Sequence, residues 1–91
     1  MTKQEFVDAV ADKAGMTKRD AGTAVDAALE VIERTLVAGD SITFTGFGKF
    51  HVTRRAERQG VNPRTGEKVL IRAANVPKFS AGSQLKKAVN A

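Results

Sequence analysis

Hydrophobic residues recur at helical spacing up to Leu36 and then change, from Ile42 onward, to strict alternation with polar ones. In the first part, Phe6, Val7, Val10, Ala11 and Ala14 fall on one helical face behind Thr2 and Glu5, which have the spacing of a capping box. Gly15 is a natural C-terminal stop. The same signature follows at once. Thr17 with Asp20 opens a second helix, and Met16 stands where a residue before the cap can staple onto Ala21. Ala21, Ala24, Val25, Ala28, Leu29, Ile32 and Leu36 form its stripe, rich in small residues that let another helix approach closely. The pattern predicts a long helix from about Lys18 to Ala38, stopped at Gly39. With only Gly15-Met16 between them, the two helices must form a hairpin.

Gly39-Asp40 turns the chain into strands. Ile42 and Phe44 alternate with Ser41, Thr43 and Thr45; after Gly46-Phe47-Gly48, Phe50 and Val52 alternate with Lys49, His51 and Thr53. Four of the five phenylalanines (Phe44, Phe47, Phe50 and Phe79) fall on or beside this sheet, and the two helices are the elements available to cover them. Asn75 to Phe79 returns to the sheet, with Pro77 suited to an edge or a strand end. Ser80 or Ser83 is expected to cap a last short helix with Leu85, Ala88 and Val89 facing inward. The expected fold is α+β, a helical hairpin packed on a three-stranded antiparallel sheet, in one domain over residues 1–91.

Residues 54–74 fit neither layer. Arg54, Arg55, Arg58, Lys68 and Arg72 flank Asn62-Pro63-Arg64-Thr65-Gly66, in which Pro63 presets φ and Gly66 closes a turn. The segment reads as a two-stranded β-ribbon arm projecting from a body made of residues 1–53 and 75–91. Charge separates along the same line. Residues 1–48 hold five basic and eight acidic side chains, whereas residues 49–72 hold seven basic and two acidic. Five of those seven cations are arginines, whose planar, forked donors suit phosphate and base-edge acceptors. A polyanion is the expected partner.

Removing the arm leaves roughly 70 residues for a core, a size at which folding alone is marginal. With no cysteine to supply a disulfide or thiolate metal site, oligomerisation is the remaining support. No apolar run approaches the roughly 18 residues needed to cross a bilayer. The N-terminal stretch also lacks a signal peptide's apolar core, which fits a cytoplasmic protein. His51 is the single histidine and lies on the polar side of its strand, so no ligand set forms around it. Nothing in the chain pairs a nucleophile with a base, offers a carboxylate pair, or cradles a phosphate in a glycine-rich loop. No enzyme, cofactor, metal or small-molecule substrate is expected.

From Gly46-Phe47 through Phe50, Arg55, Arg58, Gly60 and Asn62-Pro63-Arg64-Thr65, the spacing resembles the signature of the bacterial histone-like HU and integration-host-factor family, and is closest to HU. The element order resembles that family along the whole chain. The resemblance implies an intertwined homodimer of the nucleoid. Its two arms would reach round double-stranded DNA in the minor groove, with Pro63 wedged between base pairs. It further implies that Asn62, Arg64, Thr65 and Gly66 shape the tip, that Arg54, Arg55, Arg58, Lys68 and Arg72 hold phosphates or line the groove, and that Lys3, Lys78 and the Gly46 and Gly48 amides touch DNA from the body. Val61 and Ser83 stand where that family often carries a cation. Such a protein would bend and compact DNA without reading sequence, and would favour bent, nicked or gapped forms. Two alternatives stay open on the residues alone: a sequence-preferring, integration-host-factor-like bending cofactor, and a protein-interaction module that uses the basic ribbon.

Overall fold

Thr2 starts the first helix as its spacing predicts. In the computed structural model, which describes residues 1–91, its hydroxyl accepts the Glu5 N–H at 3.2 Å and α1 runs Lys3–Ala14. Gly15 ends the helix at φ +67°, where its N–H donates to the Ala11 carbonyl. Thr17 then caps α2 (Lys18–Val37) by accepting the Asp20 N–H at 3.1 Å. Val7 and Ala11 of α1 pack with Ala21 and Val25 of α2, and these four form the buried core. Gly22 helps keep the helices close, since a Cβ there would stand 3.7 Å from Val7. Two ion pairs tie the hairpin at its surface, Lys3 to Asp26 and Lys18 to Asp8. The stripe predicted on α2 is buried only in its first half, and Leu29 is 51% exposed.

Residues 1–34 and 35–91 form separate compact units. In the second, β1 (Ile42–Phe44), β2 (Gly48–Arg55) and β5 (Ala74–Ala81) make an antiparallel sheet in the order β1-β2-β5. Ile42 pairs with Phe50 and Phe50 with Phe79, so the apolar residues share one face as the alternation predicts. Their rings run in a chain: Phe44 lies edge-on to Phe50, Phe50 lies 4.8 Å from Phe79, and Phe79 lies 5.7 Å from Phe47. Pro77 sits on edge strand β5, where its missing N–H breaks no ladder. Strands β3 (Arg58–Val61) and β4 (Lys68–Ile71) form the arm as a separate two-stranded sheet.

Three expectations require correction. The last helix, α3 (Ser83–Val89), is capped by Gly82 and not by a serine side chain; Ser80 lies inside β5. Close approach explains the glycine, since a Cβ at position 82 would meet the Gly46 carbonyl oxygen at 2.7 Å, and the Gly82 N–H donates to Phe47 O at 2.7 Å. On α3 only Leu85 is partly covered; Ala88 and Val89 are exposed. The ribbon is also not continuous from Arg54 to Ala74. Arg54 and Arg55 still belong to the body sheet, paired with Asn75 and Ala74, and the arm ladder begins afresh at Arg58 opposite Ile71.

Candidate nucleic-acid interface

The arm's tip is braced from within. Asn62 donates its N–H to the Glu67 carbonyl and accepts the Gly66 N–H on its own carbonyl, both at 2.8 Å. Its side-chain Oδ1 accepts the Arg64 N–H at 2.9 Å, and Thr65 Oγ1 accepts the Glu67 N–H at 3.3 Å. Gly66 completes the loop at φ +71°, a conformation that strains any residue with a Cβ. Pro63 has no N–H to satisfy and stands exposed at the apex. The loop therefore meets its own backbone needs and leaves the proline ring free for a partner.

Below the tip, register assigns the faces. Arg58, Gly60, Val69 and Ile71 share one side; Gln59, Val61, Lys68 and Leu70 share the other. Each side mixes apolar and polar positions, with Val61 66% and Leu70 57% exposed. Arg55, Arg58, Arg64, Lys68 and Arg72 have no carboxylate partner, while Arg54 Nη1 donates to Asn75 Oδ1 at 3.2 Å. Those unpaired cations, on a ribbon with no core of its own and at its base, form a surface suited to a polyanion with a partly apolar groove.

The body residues are less uniform. Lys78 is exposed and unpaired on β5, opposite His51. Lys3 is engaged with Asp26 at 2.5 Å, although both side chains remain 62% exposed. Gly46, at φ +83°, turns its carbonyl to the Leu85 N–H, which docks the β1–β2 turn onto the start of α3. Gly48 is buried under Phe79. Both glycines thus have packing duties that the sequence did not disclose. Ser80, expected as a helix cap, instead places its Oγ 2.9 Å from His51 Nε2 across the sheet.

The sequence profile described as bacterial DNA-binding protein matches residues 1–90. The chain belongs to that family. The DNA-binding protein HRL18 of Rhizobium leguminosarum is 56% identical over 90 residues, covering 99% of each chain. A relative named DNA-binding protein HU from Staphylococcus aureus (strain COL) is 47% identical over 89 residues, covering 98% of this chain and 99% of its own. Among solved structures, an Anabaena HU–DNA cocrystal structure superposes with a TM-score of 0.90 at 47% identity, covering 98% of this chain and 97% of that one. HU from Thermotoga maritima matches with a TM-score of 0.71 at 34% identity over 98% of each chain. The HU-like pattern read between Gly46 and Thr65 therefore reflects family membership over the whole length, and the element order of two helices, antiparallel strands and a short last helix is the HU order. In this chain, the ribbon strands and tip carry the cations Arg58, Arg64 and Lys68, none of them in an ion pair.

Proposed function

We propose that this HU-family chain is an architectural protein of the bacterial nucleoid that binds double-stranded DNA as a homodimer and bends it without reading sequence. The self-braced tip that presents an exposed Pro63 above a ribbon of unpaired cations carries this reading. An apolar wedge between base pairs costs a few kcal/mol of unstacking, and the arm surface brought into the minor groove offsets it. Arg55, Arg58, Lys68 and Arg72 supply a sequence-independent attraction through counterion release, which falls steeply with salt. The minor groove separates little more than A·T from G·C, so deformability dominates the selection. Bent, nicked or gapped duplexes have part of that deformation done already.

Exposure within the single chain supports the homodimer. Phe44, Phe47 and Phe79 are 42–51% exposed, and only four side chains form the buried core. The groove lined by Met1, Phe6, Val25 and Leu29, about 370 Å³, is likewise open and apolar. A second copy covering these surfaces gives the core that the chain alone lacks.

A band-shift competition between an intact and a nicked duplex, for the wild type and Pro63→Ala at several salt concentrations, tests the proposal. The nicked duplex should bind tighter to the wild type, and Pro63→Ala should lose bend more than affinity. Equal affinity for both duplexes across the salt range would eliminate the wedge.

A further inference from the structure

Two glycines lie within strands, Gly48 in β2 and Gly60 in β3, and the chain's own packing explains only the first. A Cβ on Gly48 would meet the Phe79 ring and the Ser80 carbonyl oxygen. On Gly60 the nearest atom to a Cβ would be the Ile71 Cδ1 methyl at 2.9 Å, the free end of a side chain, and the nearest backbone atom, Val69 O, would be 3.9 Å away. Gly60 has no positive φ either. The fold therefore has both the space and the backbone conformation for a side chain there. A glycine in a strand gives up cross-strand packing and loses more entropy on folding than any other residue. A lone two-stranded ribbon is marginally stable already. The arm by itself gains nothing from Gly60, so its use lies in the close approach of a partner.

Register gives that approach a face. Gly60 lies opposite Val69, and Arg58 with Ile71 makes the next pair on the same side. With the Ile71 methyl leaning over the glycine, this side is a low strip of apolar carbon ending in one cation. On the other side Gln59, Val61, Lys68 and Leu70 put a full side chain at every position. The minor groove is only about 6 Å wide, so the thinner face is the one that reaches its floor. There every base pair presents ring-nitrogen and carbonyl acceptors, and a G·C pair adds the guanine 2-amino donor. Val69 and Ile71 have no atom that accepts a hydrogen bond. Pressed against them, the amino group loses its water and finds no partner.

We infer that the Gly60 face of each arm meets the minor-groove floor, and that Val69 and Ile71 on it select against the guanine 2-amino group. The inference rests on the DNA-binding reading above and adds a base-composition preference to it. Gly60 is a positioning residue that lets the ribbon backbone come close, whereas Val69 and Ile71 determine specificity by offering no acceptor. A donor stranded in this way lowers affinity by about fivefold or more. Duplexes without that group under the arms, A·T-rich ones among natural sequences, are the favoured class.

Fluorescence anisotropy of the full chain at fixed salt, on labelled duplexes of one length, tests this. The duplexes are A·T, G·C, inosine·C (G·C without the 2-amino group) and 2,6-diaminopurine·T (A·T with it). The wild type should bind A·T and inosine·C about fivefold or more tighter than the other two. Val69→Thr keeps the shape and supplies a hydroxyl acceptor, so it should bring the ratio of inosine·C to G·C affinity toward one. Val61→Thr, on the opposite face, should leave that ratio alone. Comparing variants on the same duplexes cancels differences in duplex stiffness. Gly60→Ala should keep its melting temperature yet bind every duplex about fivefold or more weaker, while Gln59→Ala binds as the wild type does. Circular dichroism melts and amide exchange across β3 and β4 separate a lost contact from a lost ladder; if Gly60→Ala loses its ladder, the Val69→Thr comparison decides. Equal wild-type affinity for G·C and inosine·C, a ratio that Val61→Thr moves and Val69→Thr does not, or wild-type binding by a folded Gly60→Ala each overturns the inference. If the nicked duplex is still preferred in those cases, the arm's bending role stands. Failure of the wild type to bind any duplex overturns both.

Discussion

Gly48→Ala probes how tightly the β1–β2 turn is seated. A Cβ built on Gly48 would stand 2.7 Å from Phe79 Cε1 and 2.8 Å from the Ser80 carbonyl oxygen, and closer still to Phe79 Cζ. The ring is held by Phe47 and Phe50, and the carbonyl belongs to β5, which pairs with β2 along eight residues. Neither neighbour is the loose end of a flexible side chain, so strands must separate locally. Overpacking of this kind costs about 1–3 kcal/mol. Gly48 has no positive φ, so alanine also restricts the unfolded chain and returns about 0.5–1 kcal/mol. The net loss is about 1–2 kcal/mol. At roughly 4–8 °C per kcal/mol for a chain of this size, Tm should fall by about 5–15 °C in a calorimetric scan at fixed protein concentration. Gly60→Ala is the control: its Cβ meets only the Ile71 Cδ1 terminus below 3 Å, at 2.9 Å, and that methyl can rotate away. A Gly48→Ala melting temperature within 2 °C of the wild type would refute the claim that ring and strand are fixed there.

Other expectations follow from single contacts. Thr2→Ala removes the acceptor of the Glu5 N–H and should cost about 1 kcal/mol, read as a fall in Tm of roughly 5 °C. Asn62→Ala leaves the Arg64 N–H without its side-chain acceptor; hydrogen exchange at that amide should speed up, by about 0.5–1.5 kcal/mol of lost protection, while α1 is unaffected. Arg58→Ala should weaken DNA binding across sequences alike and lower the salt slope by roughly one, measured by anisotropy; a sequence-dependent loss would contradict a phosphate contact. If a second copy covers the exposed phenylalanines, Tm should rise with protein concentration, and a concentration-independent value would remove the homodimer.

Short-range chemistry was legible in the residues themselves. Thr2 with Glu5, Thr17 with Asp20 and Gly15 each act within a few positions along the chain, so the helices began and ended where propensity and capping require. The alternation from Ile42 to Val52 likewise set the sheet's two faces, because successive side chains in a strand must point to opposite sides. The turn at Pro63 and the cations around it were equally local, which is why the arm could be located from sequence.

What tertiary structure decided depends on atoms distant in sequence. Ser80 looked like a helix cap, yet pairing with Lys49 keeps it in β5, and the space beside Gly46 admits only a glycine as the cap of α3. The arm's true beginning at Arg58 is set by where the body ladder stops, at Arg55 opposite Ala74, and extended residues on both sides of that break look alike. Gly48 similarly gives no local sign that a phenylalanine from another strand lies over it. Capping and pleating depend on neighbours along the chain, whereas register and close approach depend on which strand arrives alongside.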